Sequence, residues 1–498
     1  MTEELPSGYL DCRCAGILLH ITSLPGSTET GDMGPEAYRL VDFLKDAGIR
    51  VWQMLPIGPT QADGSPYQSS SVHAGNPRLI SIEPLAVEGW FSKNLPEKEL
   101  ITDSEKAKIL RHAWADFQAN AERAARLELE QFIERESYWL EDYALFRALQ
   151  EEHEHDRWWE WPEELRSRHA KALTQARSRL SRALGFIRFE QFLFFRQWFS
   201  LKAYANDRGV MLFGDMPIFV AHNSAEVWAH QEMFLLDAEG HPQAVAGVPP
   251  DYFSATGQRW GNPLYHWKRM EEEGFSFWID RMQTQPRLFD LIRIDHFRGF
   301  EAYWEIPAHE EHAIHGRWIE APGDALFDRL HQSYDPLPLV AEDLGVITPE
   351  VDALRKRYGL PGMKVLQFAF SGDVANPYLP FQHETNSVVY TGTHDNDTTL
   401  GWYVSLEDDT RQYVDEFLGF SREVMPWPMI RAALASRSRM AIIPMQDLLG
   451  LDGSHRMNLP GTSENNWVWR FAWDQIEEDL AERLRRRIKM YGRLASSS

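Results

Sequence analysis

Four acidic residues in this sequence share one kind of position, directly behind or at the end of a short apolar run. They are Asp215 in MLFGDMPIF (211–219), Asp295 in LIRIDHF (291–297), Glu342 in LPLVAEDLG (337–345) and Asp395 in SVVYTGTHDN (387–396). Two carboxyl groups flanking an acetal carbon can exchange its substituents, one attacking or activating and the other protonating the leaving oxygen. Side chains alternate along an extended chain, so Arg293 and Asp295 point to the same side, where the guanidinium would orient Asp295 and keep it charged. Glu342, partly desolvated and facing another carboxylate, fits a general acid with a raised pKa. Asp343 points the other way and is expected to serve the scaffold. His394 and Asp395 could bind hydroxyl groups, and Asp395 could stabilise the positive charge of an oxocarbenium-like transition state.

Such a set does chemistry only if one scaffold brings its members together. Besides the four runs above, strand candidates occur at AGILLH (15–20), VWQMLPIG (51–58), MKVLQFAF (363–370) and AIIPMQDLLG (441–450), which makes eight. Helical segments such as PEAYRLVDFLKDAG (35–48) and PEVDALRKRYG (349–359) separate them, with Gly48 and Gly359 where a C-cap would stand. Near-continuous apolar strands alternating with helices predict a parallel sheet covered on both faces. Eight such units predict a closed (β/α)8 TIM barrel, class α/β, whose C-terminal strand ends carry the chemistry. No glycine-rich dinucleotide fingerprint follows the first strand, which disfavours an open nucleotide-binding sheet.

We read residues 1–498 as one catalytic barrel with two long insertions. The first, 59–210, is charged and expected to be mostly helical. Trp139, Tyr143, Phe146 and Leu149 form one apolar stripe there, and Phe189, Phe192, Phe195 and Phe199 form another. The second, 217–285, is rich in glycine, proline and aromatic residues and is expected to be loop-rich and to form part of the cleft. His153 and His155 lie two apart, too close in sequence to share a helix face, so no metal is expected there.

Composition excludes several partners. The net charge of −23 argues against nucleic acid and anionic membranes. No run is long and apolar enough to be read as a membrane-spanning helix. The segment MTEELPSGYLDCRC lacks the features of a secretory signal, and the only cysteines, Cys12 and Cys14, are too close for an unstrained disulfide and too few for a zinc site. We therefore expect reduced thiols and a cytoplasmic location. Nineteen tryptophans suit a carbohydrate site, since flat rings stack on sugar C–H faces, although core packing is expected to use more than half of them. The acids supply both proton transfer and charge stabilisation, so no metal or organic cofactor is expected; oligomeric state is not readable from the sequence.

At this point the sequence resembles a known family. GILLHITSLPG (16–26), GPTQADGSPYQSSSVHAGNP (58–77), GDMPIFVA (214–221), GVPPDYFSATGQRWGNPLY (247–265), RIDHFRG, AEDLG, GTHDND, MNLPGT (457–462) and NNWVWR (465–470) all occur in order. Together they look like the 4-alpha-glucanotransferases of the amylomaltase or disproportionating type, glycoside hydrolase family 77 of the alpha-amylase clan. The resemblance implies transfer of alpha-1,4-glucan segments between maltooligosaccharides and other alpha-glucans, and no cofactor. It implies Asp295 as nucleophile, Glu342 as acid/base and Asp395 as transition-state stabiliser. It further implies substrate contacts from Tyr67, Asp215, Tyr252, Phe253, Gly257, Trp260, Arg293 and His394, with Asn466 supporting the same site. Asn223 departs from the aspartate that many members carry.

Overall fold

The computed structural model describes residues 13–93, 95, 100–154, 157–250, 254–420, 422–462 and 464–494. Eight strands form one sheet: β1 (Cys14–Leu18), β2 (Val51–Gln53), β3 (Met211–Met216), β4 (Leu291–Ile294), β5 (Leu339–Ala341), β6 (Gly362–Val365), β7 (Ser387–Tyr390) and β8 (Met440–Pro444). Their order in the sheet is β6-β7-β8-β1-β2-β3-β4-β5, every pairing is parallel, and each strand lies beside its neighbours in sequence. The expected barrel is therefore present. Each expected run contributes one strand, shorter than the apolar stretch that signalled it.

The seam between β5 and β6 is closed by fewer bonds than the others. Ala341 N–H donates to Pro361 O at 2.8 Å, and Met363 N–H donates to Asp343 Oδ1 at 2.6 Å. The Asp343 carboxylate thus stands in for a ladder carbonyl, and Arg355 Nε holds its other oxygen at 3.3 Å. A side chain at position 362 would lie 2.4 Å from Asp343 Oδ2, so this approach requires Gly362.

The alternation of side chains along the strands divides them into two packed layers. Cys14, Leu18, Val51, Phe213, Leu291, Val340, Val388, Met440 and Ile442 fill the interior. Their strand neighbours Ala15, Ile17, Trp52, Ile292, Ile294, Val389 and Ala441 face the surrounding helices. Leu291 and Phe213 are buried inside the barrel, so by the same parity Arg293 and Asp215 project inward one layer higher, and Asp295, just past the end of β4, one layer above Arg293.

The lower end of the barrel is fastened by Arg493, fully buried beyond the C-terminal helix Leu480–Met490. Its guanidinium donates to Cys14 O at 3.0 Å, Arg439 O at 2.8 Å, Leu434 O at 2.7 Å and Ser438 O at 2.9 Å, tying the start of β1 to the start of β8. Arg493→Met removes one buried donor from each of these carbonyls and unties β1 from β8, and should destabilise the protein by about 3 kcal/mol or more. A melting temperature lowered by several degrees, with the far-ultraviolet circular dichroism of the folded protein unchanged, is the expected result.

Residues 59–82 contain only one short 3-10 turn, Pro77–Leu79; the long helices Asp103–Asn120, Arg123–Arg135, Ser137–His153, Ala170–Arg179 and Ser181–Asp207 follow. Phe189, Phe192 and Phe195 are buried among Phe117, Phe132 and Trp90, as are Trp139, Tyr143, Phe146 and Leu149 on their own helix. The last helix also braces the loop after β2: Gly75 N–H donates to Gln191 Oε1 at 2.8 Å, and Gln191 Nε2 donates back to Gly75 O at 2.9 Å.

The loop-rich expectation for 217–285 needs one correction. Ala244–Val248 and Gln258–Pro263 are strands that join Ala302–Pro307 and Arg317–Glu320 in a second, four-stranded antiparallel sheet. Gln258–Pro263 and Arg317–Glu320 are largely exposed or half-buried and show no periodic apolar pattern, while Ala244–Val248 is a run of only five small apolar residues broken by Gly247, too short to mark a strand by itself. Cys12 and His155 lie outside the described residues.

Candidate active site

The barrel interior changes from apolar to ionic at the C-terminal end of β4. Arg293 Nη1 donates to both oxygens of Asp215, each at 2.8 Å, and Arg293 Nη2 lies 2.8 Å from Asp295 Oδ1. Asp215 and Arg293 are almost wholly buried, at 3% and 5% exposure, whereas Asp295 opens to the cleft. Burial alone would lower the Arg293 pKa, but Asp215, Asp295, Tyr67 and Glu342 raise it well above its ordinary value, so the guanidinium stays charged. Asp295 N–H donates to Met216 O at 3.0 Å, which fixes its backbone against the end of β3.

Glu342 stands one strand further round, after β5. Its Oε2 accepts from His296 N–H at 2.7 Å and its Oε1 from Leu344 N–H at 3.0 Å. His296 has φ 50°, a left-handed conformation that residues with a Cβ seldom adopt, and this turn aims its N–H at the carboxyl. Burial raises the Glu342 pKa to about 7 and the charge of Asp295 adds to the effect, while Arg293 and the two backbone donors oppose it. Trp260 packs edge-on against His296 with ring centres 4.9 Å apart, so the side sheet reaches the rim next to both acids.

A second arm runs through Tyr67, brought in by the loop after β2. Its O–H donates to Asp215 Oδ2 at 2.8 Å, and its oxygen lies 2.8 Å from His394 Nε2. The same His394 nitrogen is 3.2 Å from Asp395 Oδ2, and the His394 ring stacks on Tyr67 at 5.3 Å. Asp395 is further held by Asn458 Nδ2, which donates to its Oδ1 at 2.6 Å. Desolvation pushes the Asp395 pKa up, but His394 and the Asn458 hydrogen bond overcome it and hold the carboxyl well below the usual range. Burial lowers the His394 pKa, and Asp395 outweighs that to raise it.

One polar chain therefore links Asp395, His394, Tyr67, Asp215, Arg293 and Asp295, with Glu342 close enough to feel the charges of Arg293 and Asp295. Gly257 lies at the tip between the two inserted strands with φ +68°, and a Cβ there would be 2.4 Å from Val248 O. No other residue fits that turn without moving it. Asn466 sits one step back: its Oδ1 accepts from Leu459 N–H at 2.9 Å and its Nδ2 donates to Thr462 O at 2.9 Å, closing the loop that follows Asn458. Tyr252 and Phe253 lie outside the described residues.

Asn458 and Trp467 were not singled out from the sequence, although both fall in motifs that were, MNLPGT and NNWVWR. Trp467 lies 5.9 Å from the Tyr67 ring and 6.2 Å from that of His394. His296 was missed too, because it acts through its backbone N–H. The described residues contain no cluster of histidine, cysteine, aspartate and glutamate suited to a metal ion.

An eight-stranded parallel barrel with an ionic rim is the frame of a (β/α)8 enzyme, and comparison with known proteins narrows the class. The family profile described as 4-alpha-glucanotransferase matches residues 19–475. A 4-alpha-glucanotransferase of Thermus thermophilus is 49% identical over 496 residues, covering 97% of this chain and 98% of its own. A chloroplastic/amyloplastic 4-alpha-glucanotransferase of Solanum tuberosum is 44% identical, covering 99% of this chain and 90% of its own. Among solved structures, the amylomaltase of Streptococcus agalactiae in complex with acarbose superposes with a TM-score of 0.93 at 37% identity, covering 97% of this chain and all of that one. This chain belongs to the 4-alpha-glucanotransferase family, and its activity is the transfer of alpha-1,4-glucan segments.

Proposed function

We propose that Asp295 is the nucleophile, Glu342 the general acid/base and Asp395 the transition-state stabiliser of a retaining double displacement on maltooligosaccharides. The observation that carries this reading is the contrast between the two acids on adjacent strand ends. Asp295 is paired with a permanently charged arginine at 2.8 Å, while the Glu342 pKa is pushed up to about 7. Two carboxyl groups in environments that separate their roles are what such a reaction requires.

Asp295 attacks the anomeric carbon as Glu342 gives its proton to the glycosidic oxygen, so the C–O bond to the leaving glucan breaks and an ester to Asp295 forms. Glu342, now a carboxylate, takes the proton from the 4-hydroxyl of an acceptor sugar. That oxygen attacks the same carbon, the ester breaks, and a new alpha-1,4 bond restores both carboxyls. Retention places the two carboxyls about 5–5.5 Å apart. Asp395, kept anionic by His394 and Asn458, faces the positive charge that builds up between the two steps. Tyr67, Asp215, Arg293, His394, Trp260 and the tip at Gly257 bind the glucan, together with Tyr252 and Phe253. Asn466 supports the loop beside them.

The Streptococcus agalactiae relative holds acarbose, an oligosaccharide mimic, which supports a maltooligosaccharide-binding cleft here. Starch- or glycogen-derived glucans in the cytoplasm are part of the same proposal, supported by the presence of only two cysteines in 498 residues. No helix among the described residues is long and apolar enough to cross a membrane.

Maltotriose tests the substrate reading. Transfer converts it to glucose and a ladder of longer oligosaccharides at constant reducing-end concentration; shorter products with rising reducing ends would refute it. The pH profile follows from Glu342. Donor cleavage needs its proton, so kcat/KM is full below the raised pKa and is lost as pH rises through about 7. An initial-rate profile with an alkaline limb near that value is expected, and rates flat from pH 6 to 9 would contradict it.

A further inference from the structure

The helix Ser276–Leu288 buries a cation that the proposed reaction does not use. Arg281 is 2% exposed, and none of the ion pairs among the described residues includes it. Its Nη1 donates to Ile218 O at 3.0 Å and to Tyr265 Oη at 3.3 Å, and its Nη2 donates to Pro217 O. Tyr265 donates its own O–H to Ile218 O at 2.6 Å, and the guanidinium lies over the Trp278 ring at 4.9 Å. The nearby acid Glu226 is bonded to Ser71 Oγ at 2.6 Å. Burying a guanidinium without a carboxylate partner is costly, and burial lowers the Arg281 pKa accordingly.

The carbonyls that Arg281 holds lie in the turn immediately after β3. Two residues earlier, Asp215 accepts from Arg293 and Tyr67; one residue earlier, Met216 O accepts the N–H of Asp295. Arg281 also lines the cavity that Tyr67 and Asp215 border. We propose that Arg281 is a positioning residue: by clamping the Pro217 and Ile218 carbonyls it fixes the turn that aims Asp215 at Arg293 and seats the backbone of Asp295. It is distinct from the acids themselves, and the inference rests on the roles proposed for Asp295 and its partners.

The test uses full-length Arg281→Met and Arg281→Lys. A small displacement of reacting groups costs up to about 100-fold in rate, so Arg281→Met should lower kcat for maltotriose by about 10- to 100-fold while KM changes by less than about threefold. Arg281→Lys, which can reach one of the two carbonyls, should recover part of the loss. A folded Arg281→Met enzyme with wild-type kcat and only a lower melting temperature would overturn the proposal, as would a kcat loss that lysine does not relieve. If the methionine variant does not fold, Tyr265→Phe decides. It removes the second donor to Ile218 O and should lower kcat by about three- to tenfold, whereas unchanged kcat would overturn the proposal. Asp295→Asn, measured in parallel, separates the two readings. If it retains activity, the site assignment fails; if it alone loses activity, only the role of Arg281 fails.

Discussion

Asp295→Asn should lower kcat for maltotriose disproportionation by about four orders of magnitude or more, the loss typical when a covalent nucleophile is removed. That is about 5.5 kcal/mol of transition-state stabilisation. The amide keeps the size of the side chain but cannot form the ester on which both half-reactions depend. Folding should survive, because Arg293 retains its two bonds to Asp215 at 2.8 Å and Asp295 itself opens to the cleft. Circular dichroism and the melting temperature check that the loss is chemical. A folded variant that retains a tenth of wild-type activity would mean that another group attacks.

Glu342→Gln should be nearly as damaging with natural donors but conditional on the leaving group. A general acid contributes about 100- to 10,000-fold, and that contribution vanishes when the departing group needs no proton. With maltotriose the variant should lose activity in that range. With an alpha-glucosyl fluoride donor, formation of the glycosyl-enzyme should fall far less, and the alkaline limb near pH 7 should disappear from that step. The two backbone N–H groups at 2.7 and 3.0 Å constrain the position of residue 342. Glutamine can accept one of these bonds through its carbonyl but must turn its amide away from the other, so a modest loss of stability accompanies the substitution. An equal loss with both donors would assign Glu342 to binding instead of proton transfer.

Much of the barrel could be read from the sequence because each strand is a run of apolar residues that ends in a polar signal. The strands are buried on both faces, so composition alone marked them, and the parity of Leu291, Arg293 and Asp295 placed the arginine beside the acid. The side sheet could not be read the same way. Gln258–Pro263 passes from exposed through half-buried to buried residues with no alternation, and Ala302–Pro307, which pairs with Ala244–Val248, comes from a different segment of the chain. Loop-borne contacts were legible only through long motifs. Nothing in the spacing of Tyr67 says that its hydroxyl crosses the barrel mouth to bridge Asp215 and His394; that path depends on a loop braced by Gln191, more than a hundred residues away. Asn458 was hidden for a similar reason, since an asparagine after β8 has no periodic signature and its role exists only where it meets Asp395. Backbone donors such as His296 N–H leave no trace in residue type at all.

Chemical trapping tests the central assignment most directly. The enzyme is incubated with a 5-fluoro-alpha-glucosyl fluoride, whose ester forms faster than it breaks down, then digested at low pH, and the labelled peptide is sequenced by mass spectrometry. One glycosyl unit per chain is expected, on the peptide that contains Asp295, and none after Asp295→Asn. A label on any other carboxylate, or persisting in that variant, would contradict the assignment.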